Sequence, residues 1–366
     1  MNFNVQRSNF LTAAKLAATA TGKTQGAEDL RIVATADGLV ITGTDKAVTL
    51  AVPCAANAEP GVLCVKAANL IQALAVLPEG VIVATVSDSK LELKSGKTSY
   101  KLVVGDLATF PPDPEAITSP GIAVDAADLR KVIDQTAFCI APDDNHYGLN
   151  GAHLDAVDTP DGRMLRMVAT DGNRLAWSQV PYTGTLDIGR RMLVPGPTIA
   201  RLRKMIDGAS GPVSIAFSER GIVATVAGAT LHARLLEAEF PNYREVLPTS
   251  FKRRVVVDRD VFTDGLRRVS VFATDGSHSV RFAFTADGLV LTARKLDAGD
   301  AREEVPIDLA GEPITMGFNA RFIQDAASAV GTSRVTLELG DTLTPCILRP
   351  LDGGNCLYVV MPVRLD

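Results

Sequence analysis

The sequence is poor in aromatic residues and contains no long apolar run. Aromatic residues make up 5% of the 366 positions, and there is a single tryptophan. No stretch reaches the ~18 consecutive apolar residues that a membrane-spanning helix needs. The N-terminal segment MNFNVQR lacks the order of basic, apolar and small residues that marks a secretory signal peptide. We therefore expect no membrane association and a cytoplasmic location.

Cysteine and histidine are also scarce, and their spacing is not that of a metal site or a disulfide scaffold. No Cys-x-x-Cys pair and no His-Glu-x-x-His motif occurs. We expect reduced thiols, no metal and no cofactor. The residues concerned are Cys54, Cys64, Cys139, Cys346 and Cys356, and His146, His153, His232 and His278.

An excess of basic residues is missing as well, since the formal net charge is −5. Taken alone, this charge argues against a nucleic-acid partner. Net charge says nothing about distribution, however, and an acidic exterior with a basic inner surface would give the same sum. Local clusters of basic residues must decide.

What the sequence does contain is a sixfold internal repeat with a period of about sixty residues. Each segment has a β-branched or aromatic residue, a short polar stretch, and a large apolar residue five positions on that belongs to a predicted helix. Side chains at Ser8, Asp125, Asp258 and Asn319 are candidate N-caps. The segments begin at Val5, Val65, Val124, Val194, Val257 and Phe318.

Strand-like segments fill the gaps between the helices. The run ADGLVIT at 36–42 returns as ADGLVLT at 286–292, and an Asp-Gly turn before a β-branched run indicates a hairpin. The repeating unit is therefore one helix followed by several antiparallel strands. Proline-rich joints near 110–114 and 241–248 predict an α+β fold of three similar domains, each with two helices packed on antiparallel sheets. The predicted boundaries are 1–117, 118–248 and 249–366.

The sequence contains two partial matches to catalytic motifs and no complete one. Thr21-Gly22-Lys23-Thr24 resembles the end of a phosphate-binding loop, but Ala17 stands where that motif needs glycine, and the stretch follows a helix. The tetrapeptide Ala-Thr-Asp-Gly occurs twice, at 169–172 and 273–276, without a partner base, nucleophile or metal cluster. A strand end followed by a turn explains both copies, so we predict a protein that is not an enzyme.

Basic residues recur on or beside five of the six predicted helices. If these helices face one way, their cations form a surface that attracts phosphates without reading base sequence. The residues are Arg7, Lys15, Lys23, Arg130, Lys131, Arg201, Arg203, Lys204, Arg267, Arg268 and Arg321.

Several segments together resemble the bacterial DNA polymerase III beta subunit family along the whole chain. They are YGLNG at 147–151, VATDGNRLA at 168–176, EFPNYR at 239–244 with VLP at 246–248, MGFN at 316–319, and YVVMPVRL at 358–365. The resemblance implies a DNA sliding clamp: a head-to-tail homodimer forming a closed ring around duplex DNA, with helices lining the hole. It implies the polymerase III alpha subunit, the clamp loader and other proteins with a clamp-binding motif as partners.

The family's partner-peptide pocket lies between the second and third domains. Apolar walls with a few orienting polar groups suit a short linear peptide. Carried over by motif, its residues are Leu149, Thr170, Gly172, Asn173, Arg174, Leu175, Pro241, Val246, Asn319, Phe322, Leu343, Val359, Val360, Met361, Pro362, Val363 and Arg364. The sequence departs from the common pattern at Asn173, Glu245 and Pro345.

The resemblance also implies DNA contacts and a dimer seam. The DNA contacts fall on Lys23, His146, Tyr147, Arg201 and Lys204. The seam sets Tyr100 and Leu102 of one copy against Val271 and Phe272 of the other, which would cover an edge strand.

Three alternatives stay open from the sequence. The chain could be a repeat-built binding module that never encircles DNA, or a hydrolase that uses Asp171 or Asp275. It could also be an atypical second clamp that serves a repair or mobile-element polymerase.

Overall fold

The computed structural model describes residues 1–142, 148–186, 192–248, 250–273, 278–295 and 298–365. Within them the six predicted helices are present, each directly after a short strand. No helix in these ranges is long and apolar enough to cross a membrane.

The first third of the chain alternates one helix with groups of strands, twice. Its elements are β1 (Asn2–Gln6), α1 (Arg7–Ala18), β2 (Asp29–Thr35), β3 (Gly38–Thr44), β4 (Val48–Cys54), β5 (Ala56–Ala58), β6 (Gly61–Lys66), α2 (Ala67–Val76), β7 (Val81–Ser87), β8 (Lys90–Ser95) and β9 (Thr98–Gly105).

The middle third repeats the same order. Its elements are β10 (Ile122–Asp125), α3 (Ala126–Thr136), β11 (Gly151–Thr159), β12 (Gly162–Thr170), β13 (Arg174–Pro181), β14 (Thr183–Gly184), β15 (Leu193–Pro195), α4 (Gly196–Met205), β16 (Pro212–Phe217), β17 (Gly221–Val226) and β18 (Ala229–Arg234).

The last third repeats it again. Its elements are β19 (Arg253–Asp258), α5 (Arg259–Val269), β20 (Ser279–Thr285), β21 (Gly288–Lys295), β22 (Gly299–Val305), β23 (Ile307–Ala310), β24 (Ile314–Asn319), α6 (Ala320–Ala329), β25 (Arg334–Leu339), β26 (Cys346–Pro350), β27 (Cys356–Val360) and β28 (Pro362–Val363).

Helix starts follow capping chemistry at three of the four predicted positions. Asp125, Asp258 and Asn319 each accept backbone N–H groups of the following first turn. Ser8 was predicted to cap the first helix, and this is wrong. Ser8 lies inside α1, whose N-cap is Gln6 and makes no side-chain capping bond. α1 begins at Arg7, directly after the last residue of β1.

The helices bury one face each. In α1 the buried residues Phe10, Ala13, Ala14 and Ala17 follow helical spacing, and Phe10 meets Phe3 of β1 edge-on at a ring separation of 5.8 Å. The small alanines let the helix lie close to its sheet.

The chain forms two compact units, which are described separately. Unit 1 comprises the described residues of Met1–Arg130, Tyr182–Gly189 and Pro197–Leu235, and unit 2 those of Lys131–Pro181, Arg190–Gly196 and Leu236–Asp366. Unit 1 holds one sheet in the order β14-β10-β16-β17-β18-β4-β3-β2-β6-β9-β8-β7-β1-β5. Unit 2 holds two sheets, β15-β11-β12-β13-β27-β26-β25-β19-β23 and β22-β21-β20-β24-β28.

Two of these strand neighbours join parts of the chain that are far apart in sequence. In unit 1, β18 pairs antiparallel with β4, with Leu231 opposite Leu50. In unit 2, β13 pairs antiparallel with β27, with Leu175 opposite Val359. The sheet of unit 1 and the nine-stranded sheet of unit 2 thus each cross one predicted domain boundary, which is why the compact units number two while the repeat suggests three domains.

Candidate partner-binding and DNA-binding sites

In unit 2 the strands β12 and β13 are joined by a tight turn built by Asp171. Its Oδ1 accepts the backbone N–H groups of Asn173 and Arg174, each at 3.0 Å, and the hydroxyl of Thr170 donates to the carbonyl of Arg174 at 2.7 Å. This is the self-capping turn that aspartate favours. The repeated tetrapeptide is a turn at this copy, as predicted, whereas the copy at Asp275 lies outside the described residues.

The turn delivers Arg174 into a nearly buried position where its guanidinium has three oxygen partners. Nε donates to Asp171 Oδ2 at 2.9 Å, Nη1 to Asp325 Oδ2 at 2.7 Å, and Nη2 to the carbonyl of Phe138 at 2.7 Å. Burial alone would lower the pKa of Arg174, but the hydrogen bonds to Asp325 and Asp171 raise it overall. The guanidinium is therefore a fixed cation with a fixed orientation.

Aromatic rings cover the same guanidinium. Its central carbon lies 4.4 Å from the ring centre of Phe322 and 5.3 Å from that of Phe138. Such cation–π contacts favour flat stacking. Phe322 sits in the first turn of α6, which Asn319 caps, so Asn319 and Arg174 together set where that ring lies.

The C-terminal segment is attached to this turn. Arg174 pairs with Val360 across β13 and β27, and the backbone N–H of Met361 donates to the carbonyl of Asn173 at 2.9 Å. The chain then forms β28 against the edge of β24, with Phe318 opposite Pro362. Side chains from the two ends of unit 2 are thereby brought to one place.

Glycine is required where the tail crosses β24. A Cβ at Gly317 would lie 2.7 Å from the carbonyl oxygen of Val363 and 2.7 Å from Cδ2 of Leu365. The close approach lets the tail lie flat on the strand.

Beneath the turn lies an apolar cluster that also anchors the connecting segment near 240–251. Leu175, Val359 and Tyr243 belong to it, with Phe240 and Leu247 packed against it. The hydroxyl of Tyr243 donates to Asp155 at 3.0 Å. Val246, three residues beyond this anchor, is left 49% exposed.

The structure therefore gathers most of the residues predicted for the partner pocket, through strand pairing, hydrogen bonds and ring contact. The sequence did not reveal two residues that hold the Arg174 side chain, namely Asp325 and Phe138. Asp325 carries no local signal, because its partner is 151 residues away. Those gathered are Thr170, Gly172, Asn173, Arg174, Leu175, Asn319, Phe322, Val359, Val360, Met361, Pro362 and Val363. That these residues line a pocket, together with Leu149, Pro241, Val246, Leu343 and Arg364, stays a prediction.

Among the predicted DNA contacts, Lys23 and Lys204 are exposed in unit 1, and no acidic oxygen among the described residues lies within ion-pair distance of either. Arg201 differs, because its side chain is 17% exposed and paired with Asp45. His146 and Tyr147 lie outside the described residues.

The predicted seam residues lie at a helix end and on the part of β9 that pairs with β8 alone. Tyr100 and Leu102 are half-buried on β9. Val271 is 66% exposed in a single 3-10 turn after α5, and Phe272 beside it is half-buried. Exposure of this kind is compatible with a partner surface.

All five cysteines are buried and free. Burial raises the pKa of the Cys54 and Cys64 thiols to about 11. Within the described residues no three His, Cys, Asp or Glu side chains are grouped closely enough to hold a metal ion.

Comparison with known families covers nearly the whole chain. Three models of the DNA polymerase III beta subunit match in order: the N-terminal domain at residues 1–114, the central domain at 123–242, and the C-terminal domain at 244–364.

Individual relatives and solved structures agree. A beta sliding clamp of Caulobacter vibrioides is 32% identical over 311 residues, covering 84% of this chain and 83% of the relative. A beta sliding clamp of Pseudomonas aeruginosa is 29% identical over 371 residues, covering all of both chains. The crystal structure of a C. crescentus beta sliding clamp has a TM-score of 0.92 at 28% identity, again covering all of both chains.

These relatives support the sliding-clamp prediction and give no support to an atypical second clamp. The fold agrees too, because helices packed on antiparallel sheets in three successive segments match clamp structures throughout. The chain therefore belongs to the DNA polymerase III beta subunit family, and it is a DNA sliding clamp that works with DNA and a DNA polymerase.

Proposed function

We propose that two copies of this chain close head to tail into a ring around duplex DNA, and that each copy tethers partners through the pocket around Arg174. In this role the chain is a non-catalytic subunit in the cytoplasm. Its partners are the polymerase III alpha subunit, the clamp loader and other proteins with a clamp-binding peptide. The three domains are bounded near residues 117 and 248.

The observation that carries ring closure is a pair of sheet edges left over by the internal repeat. The third strand after α1, β4, joins the third strand after α4, β18, and the third strand after α3, β13, joins the third strand after α6, β27. The corresponding strands after α5 and α2 are β22 and β9. β22 ends its sheet, and β9 pairs with β6 through two residue pairs only.

The two edges are complementary in charge. Lys101 is exposed on β9, and Lys94 on the adjacent β8. On β22, Asp300 and Glu304 are exposed, and Glu304 is paired with Arg302 of the same strand. Val103 on β9 is 73% exposed, so the edge also offers apolar area. A second copy of the chain brings a β22 to each β9, so that the unpaired backbone groups of both strands can form hydrogen bonds.

Ring closure is tested by retention on DNA. After loading, we expect the protein to stay on nicked circular DNA and to be lost once the circle is linearised, because a ring linked to DNA leaves only over a free end. Equal loss from both substrates would contradict encirclement. Replacement of Val103 and Leu102 by lysine should give monomers that are lost from both, as measured by light scattering and gel filtration.

The proposed pocket is supported by apolar exposure beside a rigid cation. Met361 is 42% exposed, and its backbone is held by the turn that fixes Arg174. Leu343, which the family resemblance assigns to the same pocket, is 72% exposed. Because three of its five N–H groups already donate to protein oxygens and Phe322 stacks on it, the guanidinium acts as a flat wall more than as a free charge. We therefore propose that leucine and aromatic side chains of a peptide dock here.

The pocket is tested with Met361→Ala combined with Pro362→Ala. We expect at least a tenfold weaker Kd for a fluorescent peptide from a polymerase tail, an effect of about 1.4 kcal/mol or more, with the dimer intact by gel filtration. Val81→Ala with Val83→Ala is the matched control, since both valines are exposed on β7 of unit 1. Unchanged peptide affinity in the tail variant would remove the assignment.

A further inference from the structure

Arg201 on α4, like Arg7 on α1, donates to a backbone carbonyl and a carboxylate from distant parts of the chain. Its Nε donates to the carbonyl of Thr19 at 2.8 Å, and its Nη2 donates to Asp45 Oδ2 at 2.7 Å. The side chains of Arg201 and Asp45 are 17% and 23% exposed. Both partners lie in unit 1, more than 150 residues earlier in the chain.

The two acceptors belong to the ends of two elements. Thr19 is the C-cap of α1, where unpaired carbonyls concentrate partial negative charge, so a guanidinium is favoured there. Asp45 lies in the turn between β3 and β4, and its Oδ1 accepts the N–H groups of Ala47 and Val48. Val48 is the first residue of β4 and pairs with Ala233 of β18.

Arg201 thus joins three features: α4, the end of α1, and the turn that starts β4. The strand pair β4–β18 links the same parts of the chain within the sheet through four residue pairs. The ion pair adds a second link at the level of the helices.

The loop that carries Lys23 rests on this pair. A Cβ placed on Gly22 would lie 3.3 Å from both Cα and Cβ of Asp45, which shows how closely the loop after α1 packs on that residue. The backbone N–H of Gly22 donates to Ala27 at 2.8 Å, closing the loop, and Lys23 projects from it into solvent.

We propose that Arg201 is a positioning residue: with Asp45 it forms a latch that holds α4 on the end of α1 and keeps the Lys23 loop in place, and it does not itself bind phosphate. Its Nε and Nη2 groups donate to protein oxygens. On the same helix, Lys204 is exposed and is the residue that meets phosphate directly. The DNA part of this inference rests on the proposed encirclement of duplex DNA.

The test compares Arg201→Gln and Asp45→Asn with Lys204→Gln, a matched control with the same loss of charge on the same helix. Two quantities are measured in the full-length dimer: the melting temperature, and the affinity for a short labelled duplex at low salt by fluorescence anisotropy. Both are also measured in the Lys23→Gln background.

The latch predicts a fall in melting temperature of about 2–4 °C for both variants. The fall is larger for Arg201→Gln, which also loses the bond to Thr19, and adding Asp45→Asn to Arg201→Gln lowers the melting temperature no further. It predicts that Asp45→Asn weakens DNA binding although it removes a negative charge. In the Lys23→Gln background, Arg201→Gln should cost no further DNA affinity, whereas Lys204→Gln should cost more and should leave the melting temperature unchanged.

Three results would overturn the latch. One is an unchanged melting temperature in Asp45→Asn. Another is tighter DNA binding in Asp45→Asn, as expected if it frees Arg201 for phosphate. The third is a further loss of DNA affinity on adding Arg201→Gln to Lys23→Gln. If neither Lys23→Gln nor Lys204→Gln alters DNA affinity, the proposed DNA contacts fail, and the melting temperatures still decide the latch.

Discussion

The two long-range junctions of this clamp, β4–β18 in unit 1 and β13–β27 in unit 2, use the same strand geometry but different polar chemistry. In unit 1 the helix-level link is an ion pair, Arg201–Asp45, which keeps some access to water. In unit 2 it is a buried neutral chain. Gln135 is 6% exposed, donates to the carbonyl of Ala329 at 2.9 Å, and accepts from the hydroxyl of Ser178 at 2.7 Å.

The difference shows how one repeat can give two kinds of joint. A partly hydrated ion pair is weak and responds to salt, because water and counterions compete with it. A buried network is costly to break, because the groups left behind cannot return to water. The hydroxyl of Tyr358 donates to the same Ala329 carbonyl at 3.0 Å, so that oxygen has two donors. We expect the unit 2 junction to be the stiffer one.

The largest effect is expected from Gln135→Leu. The change fills similar volume but removes one acceptor and one donor, leaving the Ser178 hydroxyl without its buried acceptor and the Ala329 carbonyl with one donor fewer. We expect about 2–3 kcal/mol less stability toward urea. Gln72→Leu is the control, because Gln72 is exposed on α2, and it should change stability by less than about 0.5 kcal/mol. A loss of stability no larger than that of the control would show that the Gln135 hydrogen bonds do not stabilise the fold.

A smaller effect that depends on salt is expected for Arg201→Gln. At low salt we expect a loss of about 1 kcal/mol, and in 1 M NaCl we expect much of that difference to disappear, because the ion pair is partly hydrated and screened. Urea titrations at both salt concentrations measure it, with Gln135→Leu as the comparison that salt should leave unchanged. An equal response of both variants to salt would remove the distinction between the junctions.

The smallest effect on stability is expected from lowering the pH. Burial lowers the pKa of His153 in unit 2, and burial likewise lowers that of His232 on β18 in unit 1. Because the folded pKa is below the unfolded value, the unfolded chain binds more protons, and stability falls as the pH drops from about 6.5 through the folded pKa.

The variant His153→Phe separates the contribution of His153 to the pH dependence from that of His232. The imidazole stacks on Phe240 at a ring separation of 5.3 Å, so a phenyl ring can keep the contact. We expect the decline in stability between pH 7 and pH 5 to become shallower in this variant, and to keep the part that comes from His232. Stability curves from urea titrations across that range are the measurement, and an unchanged slope would show that folding does not change the pKa of His153.

Much of the architecture was predictable because it is local and repeated. The spacing from Val5 to Phe318 gave six helix starts, and the Asp-Gly turns gave hairpins that the structure contains at β2–β3 and β20–β21. The exception at Ser8 has a local cause: the preceding strand runs directly into the helix, so the helix starts at Arg7, one residue before the serine.

The candidate site was predictable only through its motif residues. Asp171 and Arg174 belong to a recognisable turn, and Met361 and Pro362 to a recognisable tail. Nothing in the sequence couples Arg174 to Asp325, or Arg201 to Asp45. Both pairs were found only in the folded chain.

The sequence by itself determined the periodic modules, the turns that end their strands, and the family, since these depend on residues within a few positions of one another. Only the tertiary structure decided which cations are neutralised and which reach solvent, because that depends on oxygens contributed from over 150 residues away. Helical position places Arg201 and Lys204 as near neighbours. The carboxylate of Asp45, which lies beside the β4–β18 pairing, is what makes their surroundings differ.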